Sequence, residues 1–180
     1  MINSEKKIAE KTLEILKTKS WDNLSLSDVL KNSNKKINIK SKFDLLKNIN
    51  RYVDNLLIIE MRNLEESSIK DMLFEVLMAR FDILQLNRES FLKIHKNFKQ
   101  KPQLFIKLLP SFLESMIVTA ELSKYNVNGF KGTIRVKGLM AVYFLTFFQW
   151  IDDKTPSLEK TMMALDKNLN QAEKFGKFMI

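Results

Sequence analysis

Five lysines, Lys31, Lys35, Lys36, Lys40 and Lys42, fall within twelve residues that contain no acidic residue. Ammonium groups at that density suit phosphate oxygens, a contact that positions a protein on nucleic acid without reading its sequence. Asn38 lies among them and carries the amide that pairs bidentately with adenine. The competing reading of the same residues is a solvated basic loop. His95 is the single histidine and there is no cysteine. Metal sites need clustered ligands, so His95 reads as an ordinary helix residue. Asp152 and Asp153 have the look of a catalytic or metal-binding pair. They also stand beside Lys154 at the start of a loop, where an Asp near a helix start stabilises the helix dipole. With no Gly-rich phosphate loop and no nucleophile motif, the chain reads as a non-enzyme without cofactor or metal.

The aromatic and methionine residues offer a different chemistry. Phe81, Phe112, Met116, Phe144 and Phe148 would line a soft apolar interior, the kind that adapts to varied hydrophobic ligands. Plain core packing is the alternative for the same side chains.

These residues need helices to place them. The chain has 180 residues, 45% of them apolar, with 4 Gly and 3 Pro. Few breakers and long stretches at helical spacing predict an all-α protein. In "EKKIAEKTLEILKTKS", Ile8, Ala9, Thr12, Leu13 and Leu16 share one helical face, and Trp21 and Leu24 bring the chain back to it. "SLSD" at residues 25–28 has the form of a capping box, and "SKFD" at 41–44 is a second. The helix begun at Ser41 runs to about Leu64, and "EESS" breaks the pattern. "SIKDMLFEVLMARFDILQLN" is apolar at helical spacing through Met72, Leu73, Val76, Leu77, Arg80, Phe81 and Leu84. Pro102 opens a long helix in which Pro110 predicts a kink.

"VKGLMAVYFLTFFQWI" holds an apolar run, residues 138–148, broken only by Thr146 and too short to span a bilayer, which needs ~20 residues. A helix apolar on all sides is buried on all sides. The last helix is predicted to start at "TPSLEK", with Thr155 as cap and Pro156 in the first position. Leu158, Met162, Leu165 and Leu169 then recur at spacings of four and three, a coiled-coil-like seam. Two adjacent terminal helices with this much apolar surface predict a homodimer interface along that seam. The N-terminus has no signal-peptide core and the chain no thiols, which together fit a cytoplasmic protein.

The net charge is +9, from 25 Lys and 5 Arg against 21 acids. Residues 1–50 hold 11 Lys against 6 acids. Such a basic excess is the footprint of a nucleic-acid binder, although a lysine-, asparagine- and isoleucine-rich composition also follows from an AT-rich genome.

Two resemblances rest on these residues. "KIAEKTLEILKTKSWDNLSLSDVL" followed by "SKFDLL" resembles the TetR family of bacterial regulators. Ser20 stands at the bend glycine, Trp21 is the aromatic, Ser25 the cap, Asp28-Val29 the pair ending the second helix, and Ser41-Lys42 the start of the fourth. "RFDILQLNRESFLKI" and "GLMAVYFLTFFQWIDDKTPSLEKTMMALDKNLNQAE" look like TetR-like proteins of alphaproteobacteria, which are related to the lipid-binding accessory proteins of ubiquinone biosynthesis. Trp150, Asp152-Asp153, Pro156 and Ala164-Leu165-Asp166 carry that likeness. The resemblance implies a TetR-like fold of about nine helices. It would comprise a degenerate helix-turn-helix domain at residues 1–50 and a ligand-binding and dimerisation domain at 51–180. It implies either a regulator with an apolar effector or a lipid- or isoprenoid-binding accessory protein.

The recognition helix is where the two diverge. Only residues 33–40 separate the second helix from the cap at Ser41. After a turn, about five residues remain, a rod of roughly 7 Å at ~1.5 Å per residue. Ile37 and Ile39, two apart, would point to opposite sides of such a helix. The element is therefore expected to be truncated, and DNA to be bound weakly or without sequence preference.

Overall fold

The computed structural model describes residues 3–31 and 38–179, with side chains described for 4–31 and 38–174. Among the described residues there are eight α-helices, one short 3-10 turn and no strand. The described residues are thus all-helical. The recognition helix is expected within residues 33–40, of which 33–37 lie outside the described residues and 38–40 are not helical.

The helices are α1 (Asn3–Thr18), α2 (Leu26–Leu30), α3 (Lys42–Glu60), α4 (Ile69–Gln85), α5 (Arg88–Gln100), α6 (Pro102–Leu122), α7 (Gly129–Asp152) and α8 (Glu159–Met179), with the 3-10 turn at Met61–Asn63. They form two compact units. The first is Met1–Leu56 with Ile83–Phe112, the second Leu57–Asp82 with Leu113–Ile180. This differs from a division at residue 50, because residues 83–112 return to the N-terminal unit.

The reason is visible in the first unit's core. The α1 face of Ile8, Ala9, Thr12, Leu13 and Leu16 is buried throughout, with Trp21, Leu24, Val29, Leu45, Leu46 and Ile49. Ile94 of α5 and Leu108 of α6 complete that cluster. Ser90 of α5 is buried and donates to the Leu13 carbonyl at 2.6 Å, and Lys93 donates to the Lys17 carbonyl near the end of α1 at 2.6 Å. Helix α5 thus covers apolar surface that α2 and α3 alone leave open. Both capping boxes form: Asp28 N donates to Ser25 Oγ at 3.1 Å, and Asp44 N to Ser41 Oγ at 3.1 Å. Helix α2 nevertheless ends at Leu30, after one and a half turns.

In the second unit, Leu73, Val76, Leu77 and Phe81 of α4, Met116 and Ala120 of α6, and Val136, Leu139, Val142, Tyr143 and Trp150 of α7 are buried. Helix α8 runs back along α7, so that Asn168 donates to the Thr146 hydroxyl at 3.1 Å. Helix α6 continues through Pro110. Pro110 and Ile106, whose carbonyl loses its partner to the proline, are both exposed, so water can satisfy that carbonyl and the helix tolerates the break. The apolar run at 138–148 belongs to a 24-residue helix. By length and composition both α6 and α7 are long and apolar enough to cross a membrane, so the short-run argument does not extend to the whole helices.

Candidate functional site

The basic segment is only partly assembled as the sequence suggests. Lys35 and Lys36 lie outside the described residues. Lys31, Asn38 and Lys40 are exposed, while Ile39 is buried in the first unit's core. Lys42 is half-buried and engaged within the fold. Its ammonium donates to the Trp21 carbonyl at 2.5 Å and the Asp22 carbonyl at 3.2 Å, and lies 5.5 Å from the Trp21 ring centre. Burial pushes its pKa down, against the opposing pull of Asp22. Its position at the first turn of α3 makes it a tie between that helix and the Trp21 bend.

Charge is divided sharply between the units. The sequence of the first carries 18 Lys and Arg against 8 Asp and Glu, a net of +10, and that of the second 12 against 13, a net of −1. Residues 83–112 contribute 6 basic residues and one acid to the first unit. Lys96, Lys99 and Lys107 among them are exposed. Sequence order hides this concentration, because 26 residues of the second unit separate the two segments of the first.

The five residues expected to line a pocket differ in burial and are divided between the two units. Phe81 is fully buried and stacks on Tyr143 with ring centres 5.6 Å apart, and the Arg80 guanidinium lies 5.5 Å from that same Tyr143 ring. Met116 is fully buried, Phe144 half-buried, and Phe148 is 50% exposed. Phe112 belongs to the first unit, 6.0 Å from Phe105. Phe81 and Met116 are absorbed by packing, and Phe148, although on α7, is turned toward solvent.

A different set of residues lines a groove in the second unit. It has a volume of about 820 Å³ and is walled by the start of α4, by α7 and by the C-terminal half of α8. Leu73, Leu139, Val142 and Leu169 form its floor, and the more exposed Ile134, Ala141 and Leu145 its lip. None of the five expected pocket residues lines it. Along α7 the lining runs from Lys131 to Leu145, roughly 21 Å at ~1.5 Å per residue. The volume lies within the ~300–1,000 Å³ range usual for ligand pockets. Tyr125, Lys131 and Arg135 bring polar groups to one end. There Arg135 donates to the Asn126 carbonyl at 3.0 Å, with its guanidinium 5.6 Å from the Tyr125 ring. The usable signal was the period: Ile134, Gly138, Ala141 and Leu145 recur on one side of α7, but a run apolar on all sides gives no hint of which side stays open.

Three of the four residues of the expected dimer seam are buried within one chain. Leu158, Leu165 and Leu169 are 1%, 0% and 5% exposed within a single chain. A short loop folds α8 back on α7 of its own chain, and these three leucines are covered within that chain. Met162 alone of the four is exposed, at 42%. Other large apolar residues exposed on this pair are Phe130, Ile134, Leu145, Phe148 and Met163.

Asp153 is structural. Its carboxylate accepts from the Thr155 amide at 3.0 Å and hydroxyl at 2.6 Å, and from the Thr161 amide at 2.8 Å and hydroxyl at 2.9 Å. Burial pushes its pKa up, but these four donors outweigh burial and hold it well below the usual carboxylate range. Helix α8 starts at Glu159, later than a Thr155 cap would place it. Leu158 takes a φ of 54° just before it, and Thr155 Oγ1 accepts from the Glu159 amide at 3.0 Å. Asp152 is exposed. Among the described residues no three His, Asp or Glu side chains are grouped to hold a metal; His95 is half-buried on α5.

No protein-family profile matches this chain, and no curated protein matches it significantly.

Proposed function

We propose that this chain is a TetR-like, non-enzymatic binding protein that holds a hydrophobic small molecule or the tail of a lipid in the α4–α7–α8 groove. The observation that carries the reading is the groove itself: long, apolar on floor and lip, with polar side chains on its α4 and α8 walls and at the Tyr125–Arg135 end, a shape suited to an amphipathic molecule with an extended chain. The resemblance of residues 80–94 and 138–173 to TetR-like proteins that are related to lipid-binding accessory proteins points the same way, toward an isoprenoid or acyl chain. The test is displacement of a fluorescent fatty acid from the purified chain. Saturable binding that Leu145→Glu abolishes is expected; binding insensitive to that change would locate the ligand elsewhere.

A second reading, a transcriptional regulator, is favoured by the net of +10 in the first unit. Against specific base reading stand a five-residue α2, non-helical residues 38–40 and the engaged Lys42. Any DNA contact on this reading is phosphate-driven, with affinity falling at a log–log slope of about −0.9 per phosphate against salt. Titration of random and promoter duplexes at two salt concentrations separates the cases. A preference of about 10³-fold for one sequence would mark a true operator reader.

A further inference from the structure

The start of α7 carries an exposed aromatic that neither the core nor the groove uses. Phe130 is 83% exposed and does not line the groove. It is nonetheless held in place. Gly129 adopts a φ of +69°, open to glycine at little cost. At Gly132 a Cβ would lie 1.9 Å from the Val127 carbonyl oxygen, so the first turn of α7 is pressed on the preceding loop. Phe130, Ile134 and Lys137 follow at i, i+4 and i+7, on one side of the helix, and all three are exposed, as is Lys131 beside Phe130. Residues 124–137 contain Lys124, Lys131, Arg135 and Lys137 and no acid. Lys124 is paired with Glu66 and Arg135 is engaged with Asn126 and Tyr125, which leaves Lys131 and Lys137 as the outward charges. The rest of the second unit is acidic by contrast, with 8 basic residues against 13 acids, a net of −5.

We infer that this tip, Phe130 flanked by Lys131 and Lys137, docks the protein on an anionic lipid bilayer surface. An aromatic ring with lysines around it matches the two layers of such a surface: the ring enters the acyl boundary while the ammonium groups stay among the headgroups. Lys131 and Ile134 also line the groove, so the docking tip is continuous with the end of the groove near Tyr125 and Arg135. The inference rests on the groove reading in one respect, that a lipid ligand is collected from a membrane rather than from water. Attraction to an anionic surface is worth about fivefold in partitioning per lysine and is lost as the Debye length shrinks from ~8 Å to ~3 Å between physiological and 1 M salt.

Co-sedimentation of the full chain with phosphatidylcholine vesicles, with and without phosphatidylserine, is the experiment. Binding to the anionic vesicles, weakened by salt, is expected. Phe130→Asp should lower it about tenfold or more, and Lys131→Ala with Lys137→Ala about 25-fold. Leu86→Asp, an equally exposed apolar site in the first unit, should leave it unchanged. Absence of binding, binding untouched by Phe130→Asp, or loss of binding on Lys96→Ala with Lys99→Ala instead would overturn the assignment. So would a change of oligomeric state in Phe130→Asp, which would make the tip a contact between copies. Uptake of the fluorescent fatty acid from solution is read in parallel. If Phe130→Asp keeps uptake and loses vesicles, the tip acts as inferred; if wild type takes up the probe but ignores vesicles, only the tip assignment fails.

Discussion

The carboxylate of Asp153 and the backbone amide of Thr161 lie 2.8 Å apart in a fully buried setting, eight residues apart in sequence. That bond caps α8 from outside the helix and, with Thr155, fastens the turn between α7 and α8. Asp153→Ala would leave buried donors without an acceptor and should cost about 3 kcal/mol. Because the folded-state pKa is lowered, the contribution is complete above the unfolded value of about 4 and is lost as pH falls through the folded value. Urea denaturation of wild type and Asp153→Asn across pH should show a gap that is constant near neutrality and narrows in acid. A gap that widens on acidification would be inconsistent with the hydrogen-bonded carboxylate.

Two glycines of α7 should respond oppositely to alanine. Gly132→Ala drives a Cβ into the Val127 carbonyl and should destabilise by about 1–3 kcal/mol. Gly138→Ala meets nothing within 4 Å and should gain up to about 1 kcal/mol from helix propensity. Since Gly138 lines the groove, its methyl group should also weaken probe uptake. Thermal melts and the fluorescent titration, run on the same samples, separate the two effects.

Leu165→Glu places a charge where the side chain is 0% exposed within one chain. It should unfold the second unit, or cost at least about 3 kcal/mol, whatever the oligomeric state. Met162→Glu, on the exposed side of α8, should leave helicity intact. Circular dichroism and sedimentation of both variants decide the matter: a well-folded Leu165→Glu monomer would return the leucines to a subunit interface.

Lys42→Met should lower stability by about 1 kcal/mol, through loss of the bonds to the Trp21 and Asp22 carbonyls. Any salt dependence of DNA binding should stay unchanged. Lys40→Ala should do the reverse if that side chain meets phosphate, reducing the salt slope by about 0.9. An equal slope change for both would show that Lys42 leaves its tie when DNA is present.

The local elements were legible in the sequence. The α1 stripe from Ile8 to Leu16 and the boxes at Ser25 and Ser41 depend on side chains three and four residues apart, and such spacings act within one turn of helix. The same logic misplaced the start of α8, because Thr155 does serve a nearby amide while the buried Asp153, from across the turn, decides where the helix begins. The five aromatic and methionine residues illustrate the gap in another way. Phe81 and Phe148 have the same chemistry, yet one stacks on Tyr143 and the other faces solvent.

Tertiary structure alone decided the partners. The leucines at 158, 165 and 169 announce a seam without saying whether a second chain or α7 will fill it. Helix α5 is separated in sequence from α1 by the whole of α3 and α4, and only packing returns its lysines to the basic unit. The groove along α7 likewise exists because α4 and α8 cover some sides of that helix and leave Ile134, Ala141 and Leu145 open. Periodicity is set by bonds along the chain, whereas apolar burial is non-directional and is satisfied by whichever surface arrives.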